Sequence, residues 1–184
     1  MDDTTLSNID YGSHRRVQEL LNAVRDCLED ISLSFDRWDE PYVKGPGMYV
    51  AVVCGTSVAP YADPMGDNRW PVEECRNVFD GENEFRVAAG EVARHADGAV
   101  VVGVDGTIQE QMVRFNYRPG DDNGDVTYAD WMGSRHMSAA DTSAREEVVA
   151  AVTLSEETGR VSAFHDGEFS DATRAELGGS WRVV

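Results

Sequence analysis

The sequence predicts a single α/β domain with a mixed β-sheet flanked by helices, and three observations support that fold class. Two largely apolar runs, residues 48–54 and 148–154, are typical of strands that are buried on both faces. Segments with apolar residues at helical spacing alternate with these runs. Asp105-Gly106, after a third apolar run, predicts a hairpin and therefore an antiparallel pair within the sheet.

Three segments predict the helices. The first begins after Ser13, which is suited to cap it, and its apolar residues recur every three or four positions until about Ser32. The second covers residues 85–95. The third begins near Arg135, with Ser134 as its N-cap. These helices supply the layers that buried strands need on both sides.

The remaining segments predict strands and loops. Residues 55–82 hold three prolines and three glycines, which predict a long loop, and a long loop in a compact domain is often a lid or a binding loop. The later predicted elements are short and separated by turn residues: a strand at 99–104, its hairpin partner at 107–115, a polar loop at 118–125, strands at 148–154 and 160–164 joined by a turn at 157–159, and a polar tail.

The charge of the chain narrows the classes of function. It has 34 acidic and 16 basic side chains, a net charge of −18, and Lys44 is its single lysine. Such a charge repels nucleic acid and anionic lipid, so we expect neither a nucleic-acid partner nor a membrane partner. The acids are scattered along the chain, and molar salt screens their repulsion within roughly 3 Å. We interpret the composition as adaptation to very high salt, with an acidic partner-binding surface as the alternative.

The sequence also indicates a compartment. Its longest apolar run has seven residues, too few to span a bilayer, and its acidic N-terminus does not resemble a signal peptide. Cys27, Cys54 and Cys75 form an odd set without short spacing, which argues against a disulfide framework or a zinc site. Because reduced thiols fit a reducing compartment, we expect a cytoplasmic protein.

Two short motifs combine residues that suit phosphate chemistry. Asp97-Gly98-Ala99 puts a carboxylate at the mouth of a buried strand, where Gly98 lets a ligand approach the backbone, although the pair can equally be an ordinary turn. Gly133-Ser134-Arg135-His136 opens a helix, whose free N–H groups and Arg135 guanidinium can hold a phosphate. The alternative is that this segment is only a helix start.

A third motif, Ser155-Glu156-Glu157-Thr158-Gly159, closes a buried strand. It is either a turn with exposed acids or the source of a carboxylate near Asp97, available to a divalent metal or a ligand hydroxyl. His95, two residues before Asp97, is either a satellite of that site or a residue placed at a helix end.

The order and context of the three motifs resemble those of the diadenylate cyclase family, whose domain is also the N-terminal domain of DisA. That family carries Asp-Gly-Ala, then Gly-Thr-Arg-His-Arg and, in many members, Ser-Glu-Glu-Thr-Gly. The resemblance covers about residues 85–168, and with its composition the chain resembles a compact archaeal, salt-adapted member. It implies an N-terminal helix and lead-in at 1–47, a cyclase-like catalytic domain at 48–170 and a tail at 171–184, together forming one globular unit.

The resemblance implies an enzyme that condenses two ATP into the second messenger cyclic di-3′,5′-AMP with loss of two pyrophosphates, at the interface of a homodimer or higher homo-oligomer. It implies a divalent metal, Mn²⁺ with Mg²⁺ or Co²⁺ as alternatives, held by Asp97 and Glu157. The implied catalytic residues are Asp97, Arg135 and His136. The implied ATP-binding residues belong to the three motifs and their edges: Gly98, Ala99, Met132, Gly133, Ser134, Arg135, His136, Ser155, Glu156 and Glu157. Whether Glu156 or Glu157 reaches the metal or the ribose stays open.

Three departures from the family pattern keep other functions open. Met137 stands where the second Arg is usual, Ser134 replaces Thr, and Ala96 holds the position of a His found in many bacterial relatives. The change at Met137 removes one phosphate donor, so a nucleotide-binding sensor without turnover is an alternative. A metal-dependent phosphohydrolase that uses Asp97 and Glu157 is another.

Overall fold

A computed structural model describes residues 13–117 and 126–178 of the chain. These residues form three α-helices and seven strands: α1 Arg15–Ser34, β1 Met48–Val53, β2 Ala62–Arg69, α2 Glu82–His95, β3 Val100–Gly103, β4 Gln111–Phe115, α3 Ser134–Ser143, β5 Val148–Leu154, β6 Val161–His165 and β7 Glu168–Ala172. The main sheet has the order β3-β1-β5-β6-β7, and β1 is parallel to β3 whereas the other neighbours are antiparallel. A second sheet pairs β2 with β4. The predicted polar loop at 118–125 lies outside the described residues.

The central strands of the main sheet are buried on both faces, and helices cover them, which confirms the predicted fold class. Val50 and Val52 of β1 point into one core with α1 and α2, whereas Tyr49 and Ala51 point into a second core with α3. This alternation explains why every residue of β1 is buried although successive side chains point in opposite directions. Within the part of the chain that is described, no helix is long and apolar enough to cross a membrane.

The helices lie where the sequence predicts them, but two of their caps differ. α1 begins at Arg15, and its N-cap is His14, whose Nδ1 accepts the Arg16 N–H at 3.2 Å. The prediction of Ser13 as the cap is therefore wrong. α3 begins at Ser134 itself, with Gly133 at the N-cap and no side chain capping the first turn. The predicted capping role of Ser134 is wrong as well, and Gly133 at the N-cap has no side chain that could accept from the first N–H groups of α3.

The prediction of a loop at 55–82 is wrong in part. β2 runs through this segment and pairs with β4, and a short 3-10 helix, Val78–Asp80, follows it. Pro64 and Gly66 conceal the strand in the sequence because both residues are unfavourable inside a sheet. Here they are tolerated because the strand belongs to a two-stranded sheet, is largely exposed and shifts register after Pro64.

Two other strand predictions need correction. The turn at Asp105-Gly106 forms as predicted, with the Gly103 N–H donating to Thr107 O at 2.8 Å, but β4 then pairs with β2, and only single bridges join it to the β3 region. The polar tail predicted after the last strand begins with a further strand, β7. Asp166, with a φ of 49°, and Gly167 form the tight turn that returns the chain along β6.

Candidate functional site

A cavity of about 520 Å³ lies where the three motifs meet. It is lined by ten of the eleven residues that the sequence analysis assigned to a site: Asp97, Gly98, Ala99, Gly133, Ser134, Arg135, His136, Ser155, Glu156 and Glu157. Met132 is the exception. A turn closes from Met132 N–H to Ala129 O at 3.0 Å, and the Met132 side chain packs against the second core instead of lining the cavity. His95 ends α2 as an exposed residue and does not line it either.

The Asp97 loop is held by β2, the strand that the sequence did not reveal. The Asn68 side chain donates to the Asp97 backbone carbonyl at 2.7 Å. Gly98 has a φ of +103°, and a Cβ there would lie 2.8 Å from Met65 Cγ. Only glycine adopts this φ without strain and also fits beside Met65. The loop therefore presents Asp97 at the cavity with its side chain 80% exposed.

The Arg135 guanidinium lies between two carboxylates, in a space that Gly47 leaves open. Its Nη2 is 3.8 Å from an oxygen of Asp97 and 3.8 Å from an oxygen of Glu156. The other oxygen of Glu156 accepts from Lys44 Nζ at 3.2 Å. A Cβ at Gly47 would lie 2.4 Å from Arg135 Nη1. The long distances from Arg135 to both carboxylates leave guanidinium donors available to a ligand.

The third motif is a turn organised by its own serine. The Ser155 hydroxyl accepts the N–H groups of Glu157 and Thr158, both at 3.3 Å, and the Gly159 N–H donates to Ser155 O at 3.0 Å. Gly159 closes the turn with a φ of +71°. From the opposite side, the Ser32 hydroxyl of α1 donates to Gly159 O at 2.6 Å. These contacts fix the strand end and direct the acids of the motif to the cavity.

His136 is the most buried polar side chain of the site. It is 6% exposed, its ring meets the Trp131 ring edge to face at 5.1 Å, and its Nε2 has no hydrogen-bond partner. Burial lowers the pKa of His136 to about 4, and the positive charges of Arg135 and Arg160 act in the same direction. The imidazole is therefore neutral at neutral pH, and its unpaired nitrogen is a hydrogen-bonding position for a ligand.

A divalent metal fits this site only in combination with a ligand. Within residues 13–117 and 126–178, no three His, Cys, Asp or Glu side chains are close enough to hold an ion. One exposed carboxylate nevertheless suits Mg²⁺ or Mn²⁺, because Mg²⁺ commonly binds one or two carboxylates and completes its shell with substrate phosphates and water. Asp97 is such a group. Because Lys44 and Arg135 form ion pairs with Glu156, Glu157 is the glutamate that is more available to a metal or a ligand.

Several cavity residues were missed by the sequence analysis. Arg160 directly follows the third motif and Trp131 lies two residues before the second, and this proximity was the available signal. Tyr49, Arg114 and Phe115 also line the cavity, but no sequence signal marks them, because only the pairing of the strands brings them there. Together with Ala99, the Tyr49 and Phe115 rings, 6.3 Å apart, give part of the cavity an apolar wall.

Comparisons with known proteins agree with the motif pattern. Residues 89–169, which contain all three motifs, match the family model described as DisA bacterial checkpoint controller nucleotide-binding, or DAC. The match supports the diadenylate cyclase family and a nucleotide-binding domain over this part of the chain. A search of the curated proteins gives no match to the sequence.

Two solved structures are similar to the chain, and the first of them shares its fold. The crystal structure of a hypothetical membrane spanning protein from Bacillus cereus matches with a TM-score of 0.56 and 16% identity, over 84% of this chain and 64% of that one. The chain thus spans less than two thirds of that protein's length. A double cysteine mutant of DacA from Staphylococcus aureus matches with a TM-score of 0.48 and 17% identity, over 88% of this chain and 92% of that one. At 16% identity, the likeness to the first structure concerns the fold alone.

Proposed function

We propose that this chain is a nucleotidyltransferase that condenses two ATP into cyclic di-3′,5′-AMP and releases two pyrophosphates. One observation carries the proposal. Asp97, Arg135 and Glu157 come from three segments that are distant in the sequence, and they line one cavity together with the motifs that surround them. That cavity combines a carboxylate, a guanidinium at a helix N-terminus and an apolar wall, which are the surfaces that a nucleoside triphosphate and its metal require.

The phosphate chain of ATP binds at the start of α3. Its uncapped N–H groups and the Arg135 guanidinium donate to phosphate oxygens, and His136 offers a further donor when its proton is on Nε2. The approach to the helix start is open, because a Cβ at Gly133 would meet no atom within 4 Å. The adenine packs against the apolar wall of Tyr49, Ala99 and Phe115.

The reaction uses the two sides of the cavity differently. The 3′-hydroxyl of one ATP attacks the α-phosphorus of the other, an O–P bond forms, the bond to pyrophosphate breaks, and the hydroxyl proton passes to solvent water. Asp97 would hold a divalent metal, which would supply polarisation of the phosphate and favour deprotonation of the hydroxyl. Arg135 and the α3 N-terminus offset the negative charge that develops on the departing pyrophosphate.

Two copies of the chain are needed for a cyclic product. One cavity holds one nucleotide, and ring closure requires two bonds, each with its own attacking hydroxyl and its own leaving pyrophosphate. Two cavities that face each other across a symmetric dimer supply both, and each nucleotide is then attacker and target.

The two alternatives have less support. The sensor hypothesis depends on Met137, whose side chain is exposed and does not line the cavity. The phosphohydrolase alternative would use Asp97 and Glu157 of the same cavity, but the match of residues 89–169 to the DAC family model does not favour it.

Incubation of the full chain with ATP and Mn²⁺ in molar KCl, followed by chromatography and mass spectrometry, tests the proposal. A cyclase yields cyclic di-AMP and pyrophosphate, a hydrolase yields ADP or AMP, and a sensor leaves ATP intact. Mixed dimers with one wild-type and one Asp97→Asn protomer should form a single bond and accumulate linear pppApA. Cyclic product from a strictly monomeric form would contradict the dimeric mechanism.

A further inference from the structure

We propose that Arg160 is a second phosphate-binding guanidinium of the cavity, and that the phosphate chain of the nucleotide lies between Arg160 and Arg135. The inference rests on the proposed function in one respect: it takes the ligand to be a nucleoside triphosphate. None of the three motifs contains Arg160, which is the residue directly after the third motif.

Two contacts fix the Arg160 guanidinium at the cavity wall. Its Nη1 pairs with the carboxylate of Asp171, which β7 brings alongside the start of β6. Its central carbon lies 4.2 Å from the centre of the Trp131 ring, a cation–π distance. The Arg160 side chain is 22% exposed and lines the cavity. An Arg side chain that is already ordered loses less conformational entropy when it binds a ligand.

The ion pair with Asp171 does not use up the binding capacity of Arg160. A guanidinium carries five N–H donors, and the Asp171 pair engages Nη1 alone. The remaining donors are suited to phosphate oxygens, which guanidinium groups bind in a planar, often bidentate geometry. Asp171 thus orients Arg160 and leaves a face of the guanidinium for a ligand.

His136 connects the two guanidinium groups. Burial lowers its pKa most, and the positive charges of Arg135 and Arg160 lower it further, because both guanidinium groups lie near the same ring. Its buried Nε2 has no partner, and a buried polar atom without a partner is costly unless a ligand supplies one. The side chains of Arg135, His136 and Arg160 therefore lie in one part of the cavity, and each has a nitrogen that can still form a hydrogen bond. A polyanion satisfies all three, whereas an apolar or cationic ligand satisfies none.

The net charge of the chain gives a further reason for Arg160 to contribute to phosphate binding. With a net charge of −18, the protein repels a nucleoside triphosphate at long range. Asp97, Glu156 and Glu157 line the same cavity and add to that repulsion. Arg135 is already shared between Asp97 and Glu156 and offsets little of it, so the Arg160 guanidinium increases the attraction where the phosphates bind.

The test measures binding of inorganic tripolyphosphate and of ATP by calorimetry, in the lowest salt at which circular dichroism shows the native fold. Arg160→Gln should weaken both affinities roughly tenfold to a hundredfold, the loss expected for one charged hydrogen-bonded contact. Arg160→Lys keeps the charge without the planar fork and should give a smaller loss. Arg37→Gln removes one charge from an exposed pair with Glu40, outside the cavity, and should leave both affinities unchanged.

The outcomes separate this inference from the proposed function. If the wild-type chain forms no cyclic dinucleotide but binds tripolyphosphate through Arg160, the cyclase proposal fails and the inference stands. If the wild type is a cyclase while Arg160→Gln and Arg160→Lys bind tripolyphosphate as tightly as it does, the inference alone is overturned. Should Arg160→Gln fail to fold, the comparison of Arg160→Lys with wild type decides. A wild-type chain that does not bind tripolyphosphate also overturns the inference.

Discussion

The two walls of the cavity are built in opposite ways. On the acidic wall, Asp97 stands on a short loop between α2 and β3, with its side chain 80% exposed. On the cationic wall, His136 is 6% exposed, and the side chains of Arg135 and Arg160 are 21% and 22% exposed. The Asp97 carboxylate has one distant ion pair, whereas the cationic side chains are held by packing, ion pairs and ring contacts.

This difference predicts how each wall responds to substitution. An exposed carboxylate contributes little to stability, so changing it should affect chemistry without affecting the fold. Side chains packed beside the core contribute to ligand binding and to stability, so substitutions on the cationic wall should affect both properties together. Four experiments test this comparison.

Asp97→Asn should have the largest effect. The amide keeps the shape of the side chain but removes the charge that holds a metal and favours deprotonation of the attacking hydroxyl, so synthesis of cyclic di-AMP should fall by orders of magnitude. The melting temperature should stay that of wild type because the side chain is exposed. Asp67→Asn makes the same change at an exposed position of β2 outside the cavity and should keep full activity. A folded Asp97→Asn variant with near-normal activity would remove Asp97 from the mechanism.

Gly47→Ala tests the cationic wall without replacing a charged residue. The added methyl would lie 2.4 Å from Arg135 Nη1, so the guanidinium has to move. ATP affinity should fall toward that of Arg135→Ala, for which we expect a loss of about 1.5–3 kcal/mol. Calorimetry measures both variants. Gly90→Ala is the control, because the nearest atom that the methyl added at Gly90 would meet lies at 3.8 Å, an ordinary van der Waals distance. This variant should leave ATP affinity unchanged. Wild-type affinity in both Gly47→Ala and Arg135→Ala would return Arg135 to the role of an ordinary helix residue.

The pH dependence of stability tests how strongly the cationic wall is coupled to the core. His136 has a pKa of about 4 in the folded chain against 6.5 in the unfolded chain, so only the unfolded state binds the proton between these values. The stabilisation is complete above pH 6.5 and is lost as pH falls toward 4. We expect a loss of about 2 kcal/mol, less than the full shift implies because solvent at the cavity mouth screens the charge.

Urea unfolding across this pH range checks the prediction. His136→Gln should remove this part of the pH dependence, while His95→Gln, at the exposed end of α2, should keep it. Identical slopes for wild type and His136→Gln would show that burial does not perturb His136.

The smallest effect per residue is expected from changes in salt concentration. Salt screens the exposed carboxylates of the whole surface together, so each one, like Asp97, accounts for a small part of the change in melting temperature. With 34 acids against 16 bases, repulsion is strongest in dilute buffer and is screened in molar KCl. The melting temperature should therefore rise with KCl concentration, and glutamine or asparagine at single exposed acids should change it little. A melting temperature that is independent of KCl would contradict adaptation to high salt and leave the charge to an acidic partner-binding surface.

The elements with strong apolar or periodic patterns were the easier ones to predict. β5 has the predicted bounds, and α2, β3 and α3 lie within a few residues of theirs, because each consists of a strong periodic or apolar pattern closed by turn residues. β2 and β7 were missed because both are polar and partly exposed. Strands of this kind are stabilised by pairing with β4 and β6, which a local pattern does not reveal.

The sequence by itself determined the fold class, the buried strands and the three motifs, because backbone conformation and burial depend on local periodicity and on turn chemistry. Only the tertiary structure decided which residues meet. It brings Asp97, Arg135 and Glu157 to one cavity, leaves Met132 in the core, and adds Arg160 through its contacts with Asp171 and Trp131. These neighbours are set by strand pairing and helix packing over long separations in sequence, and ligand chemistry depends on distances in space.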